Sequence, residues 1–230
     1  MAETRFSYSG KDNLEAMRLA TRYNAFLVGL IERHALPDDR ILDFGAGLGL
    51  FAQALRDRGH RVSCLEADAD LKNRLTEQDF EAVQFPSELA DDSVDYLYSL
   101  NVLEHIDDDV AALTALIPKL RAGARLLVYV PAFPVLFSAM DRLVGHHRRY
   151  TSGSLRGLLE KVGLQVERIE YADSLGFPAS LAYRLLGGSG VLDASSVVTY
   201  DRWMFPLSRR IDRLTRRFVG KNVFAVARKP

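Results

Sequence analysis

The chain has 230 residues, 48% of them apolar and 26% charged, with 30 basic side chains balanced by 30 acidic ones. That composition is ordinary for a folded globular protein and excludes a disordered, collagenous or coiled-coil chain. Zero formal charge argues against a protein built to wrap nucleic acid, and the single cysteine, Cys64, excludes a disulfide framework or cysteine-ligated metal. No stretch approaches the roughly 18 apolar residues of a membrane span. The polar opening residues lack the apolar centre of a signal peptide, so a cytoplasmic protein is expected.

The elements follow in chain order. Asn13 to His34 carries a loosely helical period and ends before Pro37. Arg40 to Phe44 is a short apolar strand running into glycines, with a helix over Leu50 to Arg58. Arg61 to Glu66 is a second strand, Asp70 to Gln78 a helix, Glu81 to Phe85 a weak third strand and Ser93 to Leu100 a fourth. Asp107 to Leu120 is helical, with three aspartates in its first turn complementing the helix dipole. Arg125 to Pro131 is a fifth strand. Ser152 to Val162 is a helix capped by Thr151 or Ser152 and stopped by Gly163. Leu164 to Tyr171 and Asn222 to Arg228 complete seven strands, separated by a detour with helices near Ser180 to Leu186 and Tyr200 to Phe218. Strands alternating with helices predict an α/β fold with a parallel sheet covered on both faces.

The most informative stretch is Ile41 to Phe51, where a buried strand enters Gly45, Gly47 and Gly49 and then a helix. Such glycines turn the chain sharply and let a ligand reach the peptide plane without meeting a Cβ. Ligands of open α/β sheets bind beyond the carboxyl ends of the strands. A dinucleotide G-x-G-x-x-G loop would need glycine where Leu50 stands, which disfavours an NAD-dependent oxidoreductase. Glu66 follows the second strand, where a carboxylate can accept from both hydroxyls of an adenosine ribose. A chance acid after a glycine turn is the plainer alternative, and the strand-before, helix-after context favours the ligand loop.

At this point the sequence resembles the class I S-adenosylmethionine-dependent methyltransferases. Asp43 to Gly49 (DFGAGLG) is similar to their first motif, Asp95 to Asp109 to their fourth-strand segment, and Leu116 to Pro131 to the approach to their fifth strand. The pair Asn101 to Asp109 (NVLEHIDDD) and Val130 to Thr151 (ending GHHRRYT) resembles a bacterial subfamily whose members often accompany or are fused to glycosyltransferases. The resemblance implies a Rossmann-like, seven-stranded, mostly parallel sheet with an antiparallel last strand. Extra helices are expected at the N-terminus and between the last two strands. One domain over 1–230 is expected: a helical cap at 1–36, a cofactor-binding core at 37–171, a helical insert at 172–221 and the final strand at 222–230.

It also implies that Asp43, Gly45, Ala46, Gly47 and Gly49 face the methionine end of S-adenosylmethionine. Glu66 and Ala67 would hold the ribose, and Asn101 and Leu103 would line the methionine and sulfonium. Many relatives carry an acid after the third strand for the adenine amino group. Here Gln84, a backbone carbonyl, or stacking by Phe85 would substitute.

For chemistry, His105 follows the fourth strand close to the expected methyl position, as a base or as a cap of the next helix. Related quinone O-methyltransferases place a metal on Glu-x-x-Glu-His at this point. Asn101 or Leu100 stands at the first glutamate here, so no metal is predicted. The segment Asp141 to Tyr150 offers His146 as a base, Arg148 or Arg149 as an anion clamp and Tyr150 as a hydrogen-bonding wall. The plainer alternative is a salt bridge from Asp141 to one arginine that fixes the loop. Cys64 is expected in the core. Tyr8, Tyr23, Phe133, Phe137, Tyr171 and Phe177 suit a small, partly apolar acceptor.

The late insert sets six arginines and Lys221 against one acid between Arg202 and Lys221, with Trp203, Leu207, Ile211, Leu214 and Phe218 at helical spacing. The favoured expectation is an apolar stripe packed on the domain beneath a solvated basic face. The rival is contact with an anionic membrane or an acidic partner, with a lipid-linked substrate. The expected activity is methylation of a small-molecule acceptor at oxygen or nitrogen, a secondary metabolite or glycan precursor. The alternative is a non-catalytic, cofactor-binding partner subunit. A nucleic-acid methylase would show an (Asp/Asn/Ser)-Pro-Pro-aromatic motif where Ser99-Leu-Asn-Val stands, so no nucleic-acid substrate is expected.

Overall fold

A computed structural model of the protein describes residues 17–187 and 193–230. Seven strands form one sheet: β1 (Arg40–Phe44), β2 (Arg61–Leu65), β3 (Ala82–Val83), β4 (Val94–Leu100), β5 (Leu120–Pro131), β6 (Gln165–Ala172) and β7 (Asn222–Arg228). Their order is β3-β2-β1-β4-β5-β7-β6. Every pairing is parallel except those of β7, which enters between β5 and β6 and runs antiparallel to both. The expected architecture therefore holds.

The helices are α1 (Thr21–Glu32), α2 (Leu50–Arg56), α3 (Ala69–Glu77), α4 (Asp109–Leu116), α5 (Ala139–Leu143), α6 (Ser152–Lys161), α7 (Gly176–Leu185), α8 (Ala194–Thr199) and α9 (Phe205–Thr215). The sheet's central strands are apolar at consecutive positions because both faces are covered. Leu42, Phe44, Leu97, Val128 and Val130 meet Leu113 and Leu116 of α4 and Leu155 and Leu159 of α6 on one face. Ile41, Tyr96, Tyr98, Leu127 and Tyr129 meet Leu27, Leu30 and Ile31 of α1 and Leu55 of α2 on the other. Each fully buried leucine or isoleucine contributes roughly 1.5–3 kcal/mol, so this double layer is the main stabilising term. Strand order reverses between β1 and β4, which opens a crevice at their carboxyl ends.

Several boundaries differ from the sequence reading. The first helix is interrupted: Met17 and Arg18 are helical, a turn at Leu19 breaks the helix before α1, and residues 13–16 and Tyr8 lie outside the described residues. Ala20 leaves the helical region, and the Asp201 carboxylate, from far along the chain, accepts from the amides of Arg22 and Tyr23 at 3.0 and 2.8 Å. That carboxylate replaces a local cap and starts α1 at Thr21. The helix expected over Asp107 to Leu120 ends at Leu116, because Pro118 turns Ile117–Lys119 into a 3-10 segment, and β5 already begins at Leu120. β3 is two residues long.

The late insert departs most. Its apolar stripe does not pack on the domain: Trp203, Leu207, Leu214 and Phe218 are exposed, whereas Asp201, Ser208 and Asp212 are buried. Lys221, read as part of the basic face, is drawn inward, and burial lowers the pKa of its ammonium despite the nearby Asp173.

Candidate functional site

The glycine turn stands at the carboxyl end of β1. Gly45, Gly47 and Gly49 all have positive φ (79°, 56° and 78°), the left-handed region that glycine adopts without strain. A Cβ on Gly45 would lie 2.3 Å from a Val102 methyl, and one on Gly49 would lie 2.8 Å from Leu75. Glycine at these positions thus lets the turn approach Val102, after β4, and Leu75 of α3 more closely than a side chain would allow. Ala46 is buried beside them.

Glu66 is buried directly after β2, and its two oxygens divide between the flanking backbones. Oε2 accepts from Gly47 N–H at 2.7 Å and Oε1 from Asp68 N–H at 2.9 Å. Burial raises its pKa and these amides oppose the rise. Each oxygen retains acceptor capacity for a ligand hydroxyl. Beneath the turn, Asp43 is buried beside Tyr98, with Oδ2 unpartnered among the described residues. Burial pushes its carboxyl up to about 7.

Ala67 lies between Glu66 and the cap of α3. Its carbonyl accepts from the Gln84 side chain at 3.1 Å, so Gln84 closes this end of the crevice. Phe85 projects with half its surface exposed, its backbone held by the Glu88 carboxylate, which accepts from the amides of Gln84 and Phe85 at 2.9 and 2.7 Å. Glu88 was not singled out in the sequence. The acid that many relatives carry after the third strand is expected to be replaced here by Gln84, a carbonyl or Phe85; Glu88 does stand three residues after Phe85, with its carboxylate directed at backbone.

At the end of β4, Asn101 takes a positive φ of 55° and donates its amide to Tyr129. Asparagine tolerates this region better than most residues. The Tyr23 hydroxyl of α1 lies beside Asn101 and Tyr129, so the N-terminal helix reaches the crevice. Leu103, by contrast, is fully buried in the core, and its carbonyl accepts from Tyr150.

The loop after β5 is tied down by one carboxylate. Asp141, almost fully buried in α5, accepts from Ser138 N–H and hydroxyl, from His146 Nδ1 at 2.8 Å, and from both forks of Arg149 at 2.8 and 3.0 Å. Burial would raise its pKa, and the His146 and Arg149 contacts outweigh that and hold it well below the usual carboxylate range. Arg149 is therefore committed to an internal carboxylate, and Arg148 pairs with Asp109 at 3.1 Å. Tyr150 is buried, its hydroxyl donating to Asp109 at 2.7 Å.

His146 faces the other way. Its Nε2 lies 3.9 Å from Glu104 Oε1, and its ring meets His105 edge-on at 4.5 Å. Burial, then the neighbouring His146, lower the His105 pKa to about 4, so that imidazole is neutral at pH 7. Glu104 is completely buried, neither oxygen has a hydrogen-bond partner among the described residues, and burial raises its pKa to about 8. Ligand atoms of Glu104, His105 and His146 lie within 4.8 Å of one another. Two imidazoles and a carboxylate suit either proton transfer or a divalent transition metal. The expectation of no metal considered position 101, whereas this third donor comes from the loop after β5. Phe133 stacks on Tyr171 at 4.7 Å and meets Phe177 edge-on at 5.2 Å. A separate cleft of about 400 Å³, which none of these three rings lines, is bounded by Phe137, Ser138, Arg142, Tyr183 and Arg184.

Residues 15–169, more than half of the chain, match the methyltransferase domain family. The chain belongs to that family. No curated protein matches it by sequence. Among solved structures, this methyltransferase is similar to a chain in the Haloferax volcanii complex of the Trm112 methyltransferase activator with its methyltransferase. The TM-score is 0.67 at 15% identity, covering 99% of this chain and 100% of that one. It is also similar to a SAM-dependent methyltransferase of Thermotoga maritima, with TM-score 0.63, 14% identity and 95% of each chain covered. Haemonchus contortus phosphoethanolamine N-methyltransferase 2, solved with S-adenosyl-L-methionine, matches with TM-score 0.60 at 16% identity, covering 89% of this chain and 52% of that one. At such identities the likeness is one of fold.

Proposed function

We propose that this methyltransferase uses S-adenosylmethionine to methylate an oxygen or nitrogen of a small molecule, a secondary metabolite or glycan precursor. One observation carries the donor assignment: the Glu66 carboxylate is clamped between Gly47 and Asp68 beside a glycine turn of positive φ, where a Cβ at position 45 would collide with Val102. Asp43 Oδ2 beneath the turn, unpartnered among the described residues, adds a buried acceptor suited to an ammonium-bearing ligand. Bound S-adenosylmethionine supplies an activated methyl on a good leaving group.

The residues then divide the work. Gly45 to Gly49 admit the methionine end against the backbone, Glu66 receives the ribose hydroxyls, and Gln84 and Phe85 border the adenine. Asn101 lines the methionine side. Asp141 keeps the proton on Nδ1 of His146, leaving the Nε2 lone pair to take the proton released as the acceptor is methylated. Positioning in a closed crevice supplies most of the rate enhancement. His105 and Glu104, both neutral at pH 7 by burial, keep that surface uncharged around Nε2. Arg149 and Tyr150 position the loop through Asp141 and Asp109, and the aromatic group at Phe133 receives an apolar part of the acceptor.

Calorimetry with S-adenosylmethionine, S-adenosylhomocysteine and NAD tests the donor. The reading expects micromolar affinity for the two sulfur nucleotides and none for NAD, and absence of binding by both sulfur nucleotides overturns it.

A further inference from the structure

The segment from Tyr200 to Phe218, a π-turn over Tyr200–Met204 continuing into α9, is amphipathic in the inverted sense. Its inward stripe is polar. Asp201 caps α1, Ser208 Oγ accepts from Leu175 N–H at 3.0 Å, and Asp212 accepts from the amides of Asp173 and Ser174 at 3.1 and 2.9 Å. Only Phe205 adds a large buried apolar side chain to this stripe. The outward stripe carries Trp203, Leu207, Leu214 and Phe218, exposed by 66%, 46%, 82% and 74%. Rotating the helix to hide these side chains would strip buried acceptors from several backbone amides, so the polar anchors hold the apolar stripe in solvent.

The charges on this face are one-sided. Asp201 and Asp212 are the only acids between residues 200 and 218, and both are buried. Arg209 and Arg216 are paired with Asp212 and Glu170. Arg202, Arg210, Arg213 and Arg217 are exposed and make no ion pair among the described residues. The outer face therefore alternates large apolar groups with cations on a chain whose formal charge is zero.

We propose that this face docks on an anionic lipid bilayer, with Trp203, Leu207, Leu214 and Phe218 entering the headgroup boundary and Arg202, Arg210, Arg213 and Arg217 meeting lipid phosphates. Both halves of the pattern find a partner there: apolar area enters the acyl boundary and each arginine gains from the negative surface. A nucleic acid would satisfy the arginines and leave four large apolar groups in water. No helix among the described residues is long and apolar enough to cross a membrane, so the contact is peripheral. The inference stands independently of the donor and the acceptor.

Trp203 is the only tryptophan in the chain and sits in the proposed contact. The full chain is titrated with vesicles of phosphatidylcholine mixed with phosphatidylglycerol and with vesicles of phosphatidylcholine alone, reading co-sedimentation and tryptophan emission. The expected result is binding to the anionic vesicles, weakened by salt, with a blue shift of Trp203. Leu214→Ser/Phe218→Ser and Arg210→Gln/Arg213→Gln each weaken binding about tenfold or more, with the unfolding midpoint unchanged because these side chains point outward. Any of four outcomes overturns the proposal. These are no sedimentation at low salt, sedimentation without a Trp203 shift, undiminished binding by the Leu214→Ser/Phe218→Ser variant, or a large fall in its midpoint. Binding to polyglutamate with none to vesicles would assign the face to an acidic protein instead.

Discussion

His146 Nδ1 lies 2.8 Å from Asp141 Oδ1, on a carboxylate that Arg149 also grips with both forks. One buried charge thus fixes both the tautomer of the histidine and the shape of the loop presenting it. His146→Ala is expected to lower turnover by about 10²–10⁴-fold, the usual range for a general base, while leaving S-adenosylmethionine affinity intact. Single-turnover kinetics beside calorimetry check this, and equal losses in both would place the loop in the cofactor site. Treatment with EDTA is expected to leave turnover unchanged. Loss restored by a divalent ion would instead assign Glu104, His105 and His146 to a cation.

Asp141→Asn acts on the same group through stability. It leaves the Arg149 guanidinium, buried except for its edge, without its counter-ion, and a broken buried pair costs about 3–5 kcal/mol. Urea unfolding is expected to show a loss near the lower end, since Arg149 retains the Ala132 carbonyl. A loss below about 1 kcal/mol, the scale of exposed pairs, would mean that the loop is held by something else.

Glu66→Ala removes an acceptor that already orders two backbone amides. Cofactor affinity is expected to fall by about 1–3 kcal/mol, the scale of hydrogen bonds to a charged group. Calorimetry reads it directly, and unchanged affinity would remove Glu66 from the ribose site.

Gly45→Ala confronts both a φ of 79° and a Val102 methyl 2.3 Å from the new Cβ. Backbone strain in this region costs about 1–3 kcal/mol, so the variant is expected to unfold earlier and bind cofactor weakly. Gly45→Ala combined with Val102→Ala relieves the contact and leaves the strain. Partial recovery of the midpoint is therefore expected, and full recovery would show that the conformation itself costs nothing.

The buried Asp43 sets a pH dependence. Its carboxyl has an ordinary value of 3.8 when unfolded and about 7 in the fold. The folded state therefore binds more protons across that interval, and stability is lost as pH rises from about 4 to about 7. Asp43→Asn removes the titration. The midpoint difference between variant and parent is expected to move in the variant's favour over that window in differential scanning calorimetry, and a constant difference contradicts the assignment.

Most of the sheet, the glycine turn and the Glu66 position were legible because each is a local pattern: apolar runs, positive-φ glycines, and an acid where a strand ends. Asp201 at the start of α1 was not, since the capping side chain and the capped amides are 178 or more residues apart. Glu104 was legible only as a neighbour of His105. Its burial, with no hydrogen-bond partner among the described residues, arises where the loop after β5 closes over the turn after β4.

The late insert marks the boundary between the two kinds of information. Periodicity alone determined that Trp203, Leu207, Leu214 and Phe218 share a helix face and that arginines flank them, because a helix repeats by geometry. It could not determine which face turns inward, because burial of an apolar stripe competes there with buried acceptors for remote amides. Asp173 and Ser174 present those amides to Asp212, and Arg22 and Tyr23 present theirs to Asp201. An unsatisfied buried amide is costly, so the polar side was drawn in and the apolar side left facing out. Only the tertiary structure brings those partners together.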